Sequence, residues 1–471
     1  MCYLVLFFLA PDAVPGAARH VLGLAGWMAI WWVTEPVPLA ATSLLPAGVL
    51  PALGVVTGRE AVAPYANELV FLFLGGFLLA AALQRWNGHA RIAYALIGAI
   101  GLTSQRIILG VMVATAFVSM WISNTATAAM MYPIVLAIGA LFGTDDDARR
   151  TRTALMLGMA YAASIGGMAS LLGTPPNLIF AGSARELAGR DVSFVSFLAV
   201  GLPLTVMLLP ICWLLLVHVL FPSRASLGER ARDVLRERRA ALGPLQGGEA
   251  RTMLVFGLTA AAWLLRERKV IGSVTIPGLA DLAPRLSDAS IAILGATLLF
   301  ILNGRSREGD RRPLLTWEEA REIPWDVLLL FGGGLSLAAA MESTGLAQWL
   351  GGQMSALGAF PPVVIYVGLA LMVLLLSELA SNTAVSSMTM PVVATLAVAI
   401  DQPPLLLMMI AALAASTGFA LPIATPPNTI VFGSGQVSVR SMAKAGILLD
   451  VIAVVLIVIV VSVLYPIVFG T

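Results

Sequence analysis

Residues 119–127 read Ser-Met-Trp-Ile-Ser-Asn-Thr-Ala-Thr, and residues 377–385 read Ser-Glu-Leu-Ala-Ser-Asn-Thr-Ala-Val. The shared Ser123-Asn124-Thr125-Ala126 returns 258 residues later as Ser381-Asn382-Thr383-Ala384. Gly75-Gly76, Ala80-Ala81-Ala82 and Pro133 return at the same offset as Gly333-Gly334, Ala338-Ala339-Ala340 and Pro391. Downstream, Gly173-Thr174-Pro175-Pro176-Asn177 is answered by Ala424-Thr425-Pro426-Pro427-Asn428, at an offset of 251. Features repeated in one order over so long a stretch mark two copies of one unit.

The chain around this repeat has 471 residues, 59% hydrophobic and 11% charged, with mean hydropathy +0.92. Soluble domains average roughly 45–50% apolar and about 25% charged residues. A water-soluble protein of this size has no interior large enough to hide so much apolar surface. Composition therefore excludes a soluble enzyme, a nucleic-acid binder and a disordered chain, and leaves an all-α polytopic membrane protein surrounded by lipid. The 28 Lys+Arg against 26 Asp+Glu give no basic field for nucleic acid. Cys2 and Cys212 make neither a disulfide framework nor a metal-ligand spacing. His20, His89 and His218 are scattered and none falls in the repeated motifs, which argues against an intramembrane hydrolase.

Apolar runs fit for a bilayer core of ~30 Å recur near 18–34, 36–53, 69–84, 153–183, 195–221, 251–266, 288–303, 325–341, 405–435 and 446–468. Residues 1–10 read as the end of a first helix; they have no basic n-region of a signal peptide. The Arg-rich segments 221–251, read as an amphipathic arm, and 304–321 belong in the cytoplasm. Arg266, Arg268 and Lys269, in the loop between the intervening crossings, are an exception to that rule. No Lys or Arg occurs between Arg321 and Arg440, so exterior loops fall there, at 342–362 and 401–404. The stretch 107–144 is bracketed by Arg106 and by Arg149, Arg150 and Arg152, so both its ends are cytoplasmic. Both ends of 362–400 are exterior. As one helix either stretch would be about 57 Å long at 1.5 Å per residue, too long for one crossing. Each is a hairpin, and the two enter from opposite sides. Length does not decide whether they cross fully or stop inside the membrane.

An inverted repeat with helices interrupted at matching places points to the binding site of a secondary transporter. The polar clusters sit mid-hairpin: Ser119, Ser123, Asn124, Thr125 and Thr127 in one, Ser377, Glu378, Ser381, Asn382 and Thr383 in the other. At a tip, the incoming helix leaves free carbonyls, which suit a cation. The outgoing helix leaves free N–H groups, which suit an anion. Thr125 and Thr383 are expected as the N-caps. Pro175-Pro176 and Pro426-Pro427 break their helices and free the upstream carbonyls, leaving the hydroxyls of Thr174 and Thr425 for substrate. No Lys or Arg lies in either tip, so a bound anion needs neutral donors, helix ends and cations. Glu35, beside Pro36, reads as a helix-end residue; Glu378 is an intramembrane acid and a functional candidate. Asp326 and Asp450 read as interfacial.

These motifs resemble the divalent anion:sodium symporter (DASS) family of the ion transporter superfamily. The resemblance runs over WWVTEPVPL, SMWISNTATAAMMYPI, SIGGMASLLGTPPNLIF, SELASNTAVSSMTMPV and LPIATPPNTIVFGSG, nearly the whole chain. It implies two re-entrant hairpins, an elevator mechanism and a homodimer formed by a scaffold. Its implied divisions are scaffold helices in 1–105, transport-domain elements in 106–193 and 362–440, connecting and scaffold helices in 194–361, and a C-terminal helix in 441–471. It implies one sodium ion at Ser119, Ser123, Asn124 and the carbonyl near Gly173. A second falls at Ser377, the carbonyl of Ala380, Asn382 and the carbonyl near Ala424. Substrate carboxylates would meet Ser123-Asn124-Thr125 and Ser381-Asn382-Thr383, helped by Thr174, Thr425 and Pro426. The expected activity is sodium-coupled transport of a C4-dicarboxylate such as succinate, malate or fumarate across the cell membrane. The alternatives are a dicarboxylate exchanger of the same fold, or a sodium-coupled citrate or sulfate carrier. An ion channel would not need two hairpins entering from opposite sides.

Overall fold

The structure is a computed structural model that describes residues 7, 14–101, 103–223, 237, 240–245, 247–271, 274–306 and 309–470. Apart from Phe7, the expected helix end at 1–10 lies outside the described residues, as does much of the arm 221–251. In chain order the main helices are α1 (Gly16–Thr34), α2 (Leu45–Ala52), α3 (Glu68–Arg85), α4 (Gly88–Ile100), α5 (Ser104–Ser119) and α6 (Asn124–Gly139). Then come α7 (Asp146–Gly167), α8 (Pro175–Ala188), α9 (Phe194–Leu214), α10 (Gly247–Leu265), α11 (Asp288–Ile301) and α12 (Trp325–Ser343). The chain ends with α13 (Leu346–Met354), α14 (Pro362–Leu379), α15 (Asn382–Ala399), α16 (Pro404–Ala415), α17 (Pro426–Gly433) and α18 (Val439–Phe469). Two three-residue β-ladders, pairing 269–271 with 274–276 and 303–305 with 311–313, are the departures from an all-helical reading.

α3 lies in a helical run long and apolar enough to cross a membrane, and its two ends mark opposite faces. Eighteen residues make a helix about 27 Å long. At one end Arg85 meets Glu319 of the arginine-rich segment at 2.6 Å; at the other Glu68 meets Arg185 at 2.9 Å. The flanks of the first hairpin lie on the arginine-rich face. Trp213 at the end of α9 donates to Gln105 O, and Thr151 in α7 donates to Ser223 Oγ. The flanks of the second hairpin lie on the opposite face, where Leu405 and Phe469 line one cavity with Glu68 and Arg185. The opposed entry expected from Arg placement is therefore present in the fold.

Each hairpin folds around the first half of an interrupted helix. α5 and α6 both pack on α7; α14 and α15 both pack on α16. These central helices are the core: 405–415 of α16 are buried without exception, as are 153–167 of α7. The continuous runs read at 153–183 and 405–435 are each broken, at 168–174 and 416–425, ahead of their Pro-Pro pairs. The second halves then cross over. α8 packs on α15, and α17 on α6. Each interrupted helix thus ends against the outgoing leg of the other repeat's hairpin.

The repeated glycine pairs explain the close packing of α3 and α12. A Cβ on Gly75 would lie 2.6 Å from Ala292 of α11, and one on Gly76 would lie 2.6 Å from Leu172 in the first break. Gly333 abuts Ser43 and Gly334 abuts Ser387 of α15. In both copies the first glycine touches the outer helices and the second touches a hairpin or break.

Candidate functional site

The first hairpin turns at residues 120–123, and Ser123 caps α6, its Oγ accepting from the Ala126 N–H at 3.4 Å. Ser381 holds the same position ahead of α15. The expected caps, Thr125 and Thr383, instead fall in the first turn. The extended ψ of 145° at Ser123 and 126° at Ser381 lets the helix begin with the asparagine that follows.

At the first tip, Ser119 Oγ donates to Ala163 O at 2.6 Å and lies 2.9 Å from the Asn124 amide. The same end of that amide lies 3.0 Å from Ala163 O and 3.2 Å from Gly173 O. With its nitrogen turned in, the amide donates to these oxygens; with its oxygen turned in, four neutral oxygens converge. Gly167 makes the approach possible, because a Cβ there would overlap the amide oxygen. At the second tip, Ser377 Oγ lies 2.6 Å from both Asn382 Oδ1 and Ala415 O. Ala380 follows the last turn of α14, and Ala424 borders the cluster: a Cβ on Gly418 would lie 3.5 Å from Ala424 Cβ and 3.8 Å from Ser377 O. Ser119 and Ser377 are fully buried. Hydroxyl, amide and carbonyl oxygens are the donor set of a hard cation. Among the described residues no group of three His, Cys, Asp or Glu offers a different kind of site.

The carbonyls of Ala163 and Ala415 were not legible in the sequence. Alanines in apolar helices carry no polar signal; their carbonyls matter because they lie near the ends of α7 and α16, where helical partners run out.

Thr174 and Thr425 are the N-caps of α8 and α17, each followed by proline at the first helical position, where a missing N–H costs nothing. Both threonines are buried; Thr425 Oγ1 accepts from the Asn428 N–H, whereas Thr174 makes no such cap. Asn177 and Asn428, quoted above only as part of the motif, brace the breaks. The Asn177 amide donates to Gly167 O at 2.9 Å and Ser170 O at 2.7 Å. Asn428 donates to Gly418 O at 3.2 Å and Leu421 O at 3.0 Å.

Two acids do the same for the second break. Glu378 accepts from the N–H groups of Ala420 and Leu421 at 2.8 and 2.9 Å; Asp450 accepts from Phe419 N–H at 3.2 Å. Asp450 is therefore not interfacial: it is buried in α18 because the irregular backbone beside it presents donors that need an acceptor. Glu35 is exposed at the C-cap of α1 in a left-handed conformation, as a helix-end residue.

α6 and α17 start at the tips and breaks and run side by side, as do α8 and α15. The N-terminal ends of these helices lie at the tips and just after the breaks, and helix N-termini favour an anion. Ser123 opens into a cavity of about 380 Å³ that also touches Ala81, Arg85, Ala126, Glu319 and Glu322, so the first tip is reached from the arginine-rich face. Thr125 and Pro426 are exposed; Ser123, Asn124, Ser381, Asn382 and Thr383 are half-buried.

Residues 1–470 match the model of the sodium:sulfate symporter transmembrane region. The chain belongs to this sodium:sulfate symporter family. Two relatives are sodium-dependent dicarboxylate transporters named SdcS. The Staphylococcus saprophyticus protein is 39% identical and the Staphylococcus aureus MRSA252 protein 40% identical, each match covering 99% of this chain and 90% of the relative. The fold is shared with the Alcanivorax borkumensis YdaH transporter, at a TM-score of 0.61 and 14% identity over 95% of this chain and 98% of that one. It is also shared with Neisseria gonorrhoeae MtrF, at 0.60 and 13% over 98% and 97%. The chain is thus a multi-pass membrane protein of the sodium:sulfate symporter family, a family of transporters.

Proposed function

We propose that this protein carries a C4-dicarboxylate such as succinate, malate or fumarate across the cell membrane, coupled to sodium. The observation that carries the reading is the paired Ser–Asn–carbonyl clusters, made of neutral oxygens, beside helix N-termini. Sodium binds at Ser119, Ser123, Asn124 and Gly173 in one tip, and at Ser377, Ala380, Asn382 and Ala424 in the other. The substrate carboxylates meet Ser123-Asn124-Thr125 and Ser381-Asn382-Thr383, with Thr174, Thr425 and Pro426 completing the walls. No Lys or Arg lies in either tip, and Arg85, which lines the Ser123 cavity, is paired with Glu319, so the cations neutralise the dianion, and in a low-dielectric site that attraction is strong. Each ligand then strengthens the binding of the other.

The hairpins and interrupted helices, in 106–193 and 362–440, move as one unit against the remaining helices. That is an elevator motion, with the scaffold forming a homodimer. The cavity at Ser123 corresponds to the state open to the arginine-rich, cytoplasmic face. Uptake of labelled succinate into proteoliposomes, competed in turn by malate, fumarate, citrate and sulfate, tests the substrate class. Accumulation driven by an inward sodium gradient and competed best by the C4 acids is the expected result. Uptake that needs internal dicarboxylate and ignores sodium would replace the symporter with an exchanger.

A further inference from the structure

On the face away from the Ser123 cavity, two adjacent residues at the end of α8 grip two adjacent residues at the start of α3. Arg185 donates to Glu68 Oε2 at 2.9 Å, and Asn67 donates through its side-chain amide to Glu186 Oε1 at 2.9 Å. Asn67 is also the N-cap of α3, its Oδ1 accepting from Leu69 N–H at 2.9 Å, so its amide is held in position by the helix it starts. Next to this pair, Asp288 at the start of α11 accepts from the Phe194 N–H at 2.8 Å and meets Arg266 at 2.6 Å. Glu68, Arg185, Arg266 and Asp288 line one cavity of about 500 Å³.

The bonds fasten the far end of α8 to α3, two helices that otherwise touch only lightly. α8 begins at Pro175, just after the first break, and rises about 15 Å to Arg185 at the latch. A straight helix of that length transmits displacement from one end to the other. α3 instead belongs with α11, against which Gly75 is fitted. We propose that Asn67, Glu68, Arg185 and Glu186 form a latch. It holds the carrier open toward the arginine-rich face and releases before the site faces the other way. This inference rests on the two-unit motion proposed above.

The side chains of Arg185 and Glu68 are 45% and 40% exposed. Exposed ion pairs are individually weak, which suits a contact broken in every cycle. The expected bias is roughly three- to tenfold in the ratio of the two states, and it falls as ionic strength rises.

The test uses Ala81→Cys, which reports on the open cavity, in oriented proteoliposomes labelled by a membrane-impermeant maleimide from the arginine-rich side. Cys2 and Cys212 are replaced by serine. Arg185→Gln with Glu186→Gln should slow labelling by up to roughly three- to tenfold, and the charge swap Glu68→Arg with Arg185→Glu should restore much of the rate. Sodium plus succinate should change the labelling of the parent. Equal rates in the parent and the loosened variant, with the parent still responding to ligand, overturn the latch alone. A parent indifferent to sodium and succinate overturns the moving-unit reading beneath it.

Discussion

Asn177 and Asn428 make matching pairs of hydrogen bonds in the two halves of the molecule: each amide donates to two carbonyls within the preceding break or at its edge. Both residues are fully buried. These bonds fix the course of the irregular backbone, and in the first half they hold Gly167, the residue against which the Asn124 amide rests.

Asn177→Ala leaves the carbonyls of Gly167 and Ser170 without this donor, and Asn428→Ala does the same to Gly418, while Leu421 O keeps the Ala424 N–H. The cost should be about 1–3 kcal/mol for each, seen as a lower unfolding temperature in detergent. Asp at either position cannot donate from its ionised form and should do no better than Ala. Sodium dependence should shift in both variants, because the break also carries the carbonyl of Gly173 or the backbone at Ala424. An unfolding temperature unchanged in both would remove the bracing role.

Asn124→Ala or Asn382→Ala takes away a side chain proposed above to meet both cation and carboxylate. A loss of about 1–3 kcal/mol per interaction is roughly tenfold to a hundredfold in affinity. The variants should need more sodium and more substrate together. Ser119→Ala and Ser377→Ala, one turn earlier and buried, should shift sodium dependence first and substrate affinity only through linkage. Titrations of substrate at several sodium concentrations separate the two patterns.

Gly167→Ala should be among the most damaging single-methyl changes in the site, since the new Cβ overlaps the Asn124 amide and its nearest alternative is a shifted tip. Sodium-dependent binding should be lost while the detergent-purified protein stays monodisperse. Gly98→Ala, where a Cβ meets nothing within 4 Å, is the control. Near-normal sodium binding in Gly167→Ala would show that the tip does not need this approach.

Single cysteines at Thr144 and Gly358, both exposed, should label from opposite sides of the membrane. Labelling of both from one side would contradict the opposed entry of the two hairpins.

The repeat was legible because its carriers, Ser-Asn-Thr and Thr-Pro-Pro-Asn, are polar or helix-breaking residues in apolar surroundings, where each such residue is conspicuous. That the two hairpins enter from opposite faces was legible from Arg placement. What escaped were features that depend on backbone direction. Ser123 rather than Thr125 became the cap because φ and ψ, not residue type, set where α6 begins. Ala163 and Ala415 contribute carbonyls, which no side chain announces. Asp450 lies at a plausible interfacial position along a 31-residue helix, and only the fold shows that the break at Phe419 is packed against it.

The central claim is that cations neutralise a dianion that no side chain neutralises. The direct measurement is the binding of succinate to the purified protein in sodium and in choline at equal ionic strength. Binding should be strong in sodium, weaken as sodium is lowered, and be lost or reduced at least tenfold in choline. Equal affinity in sodium and in choline would contradict sodium coupling and leave the exchanger in its place.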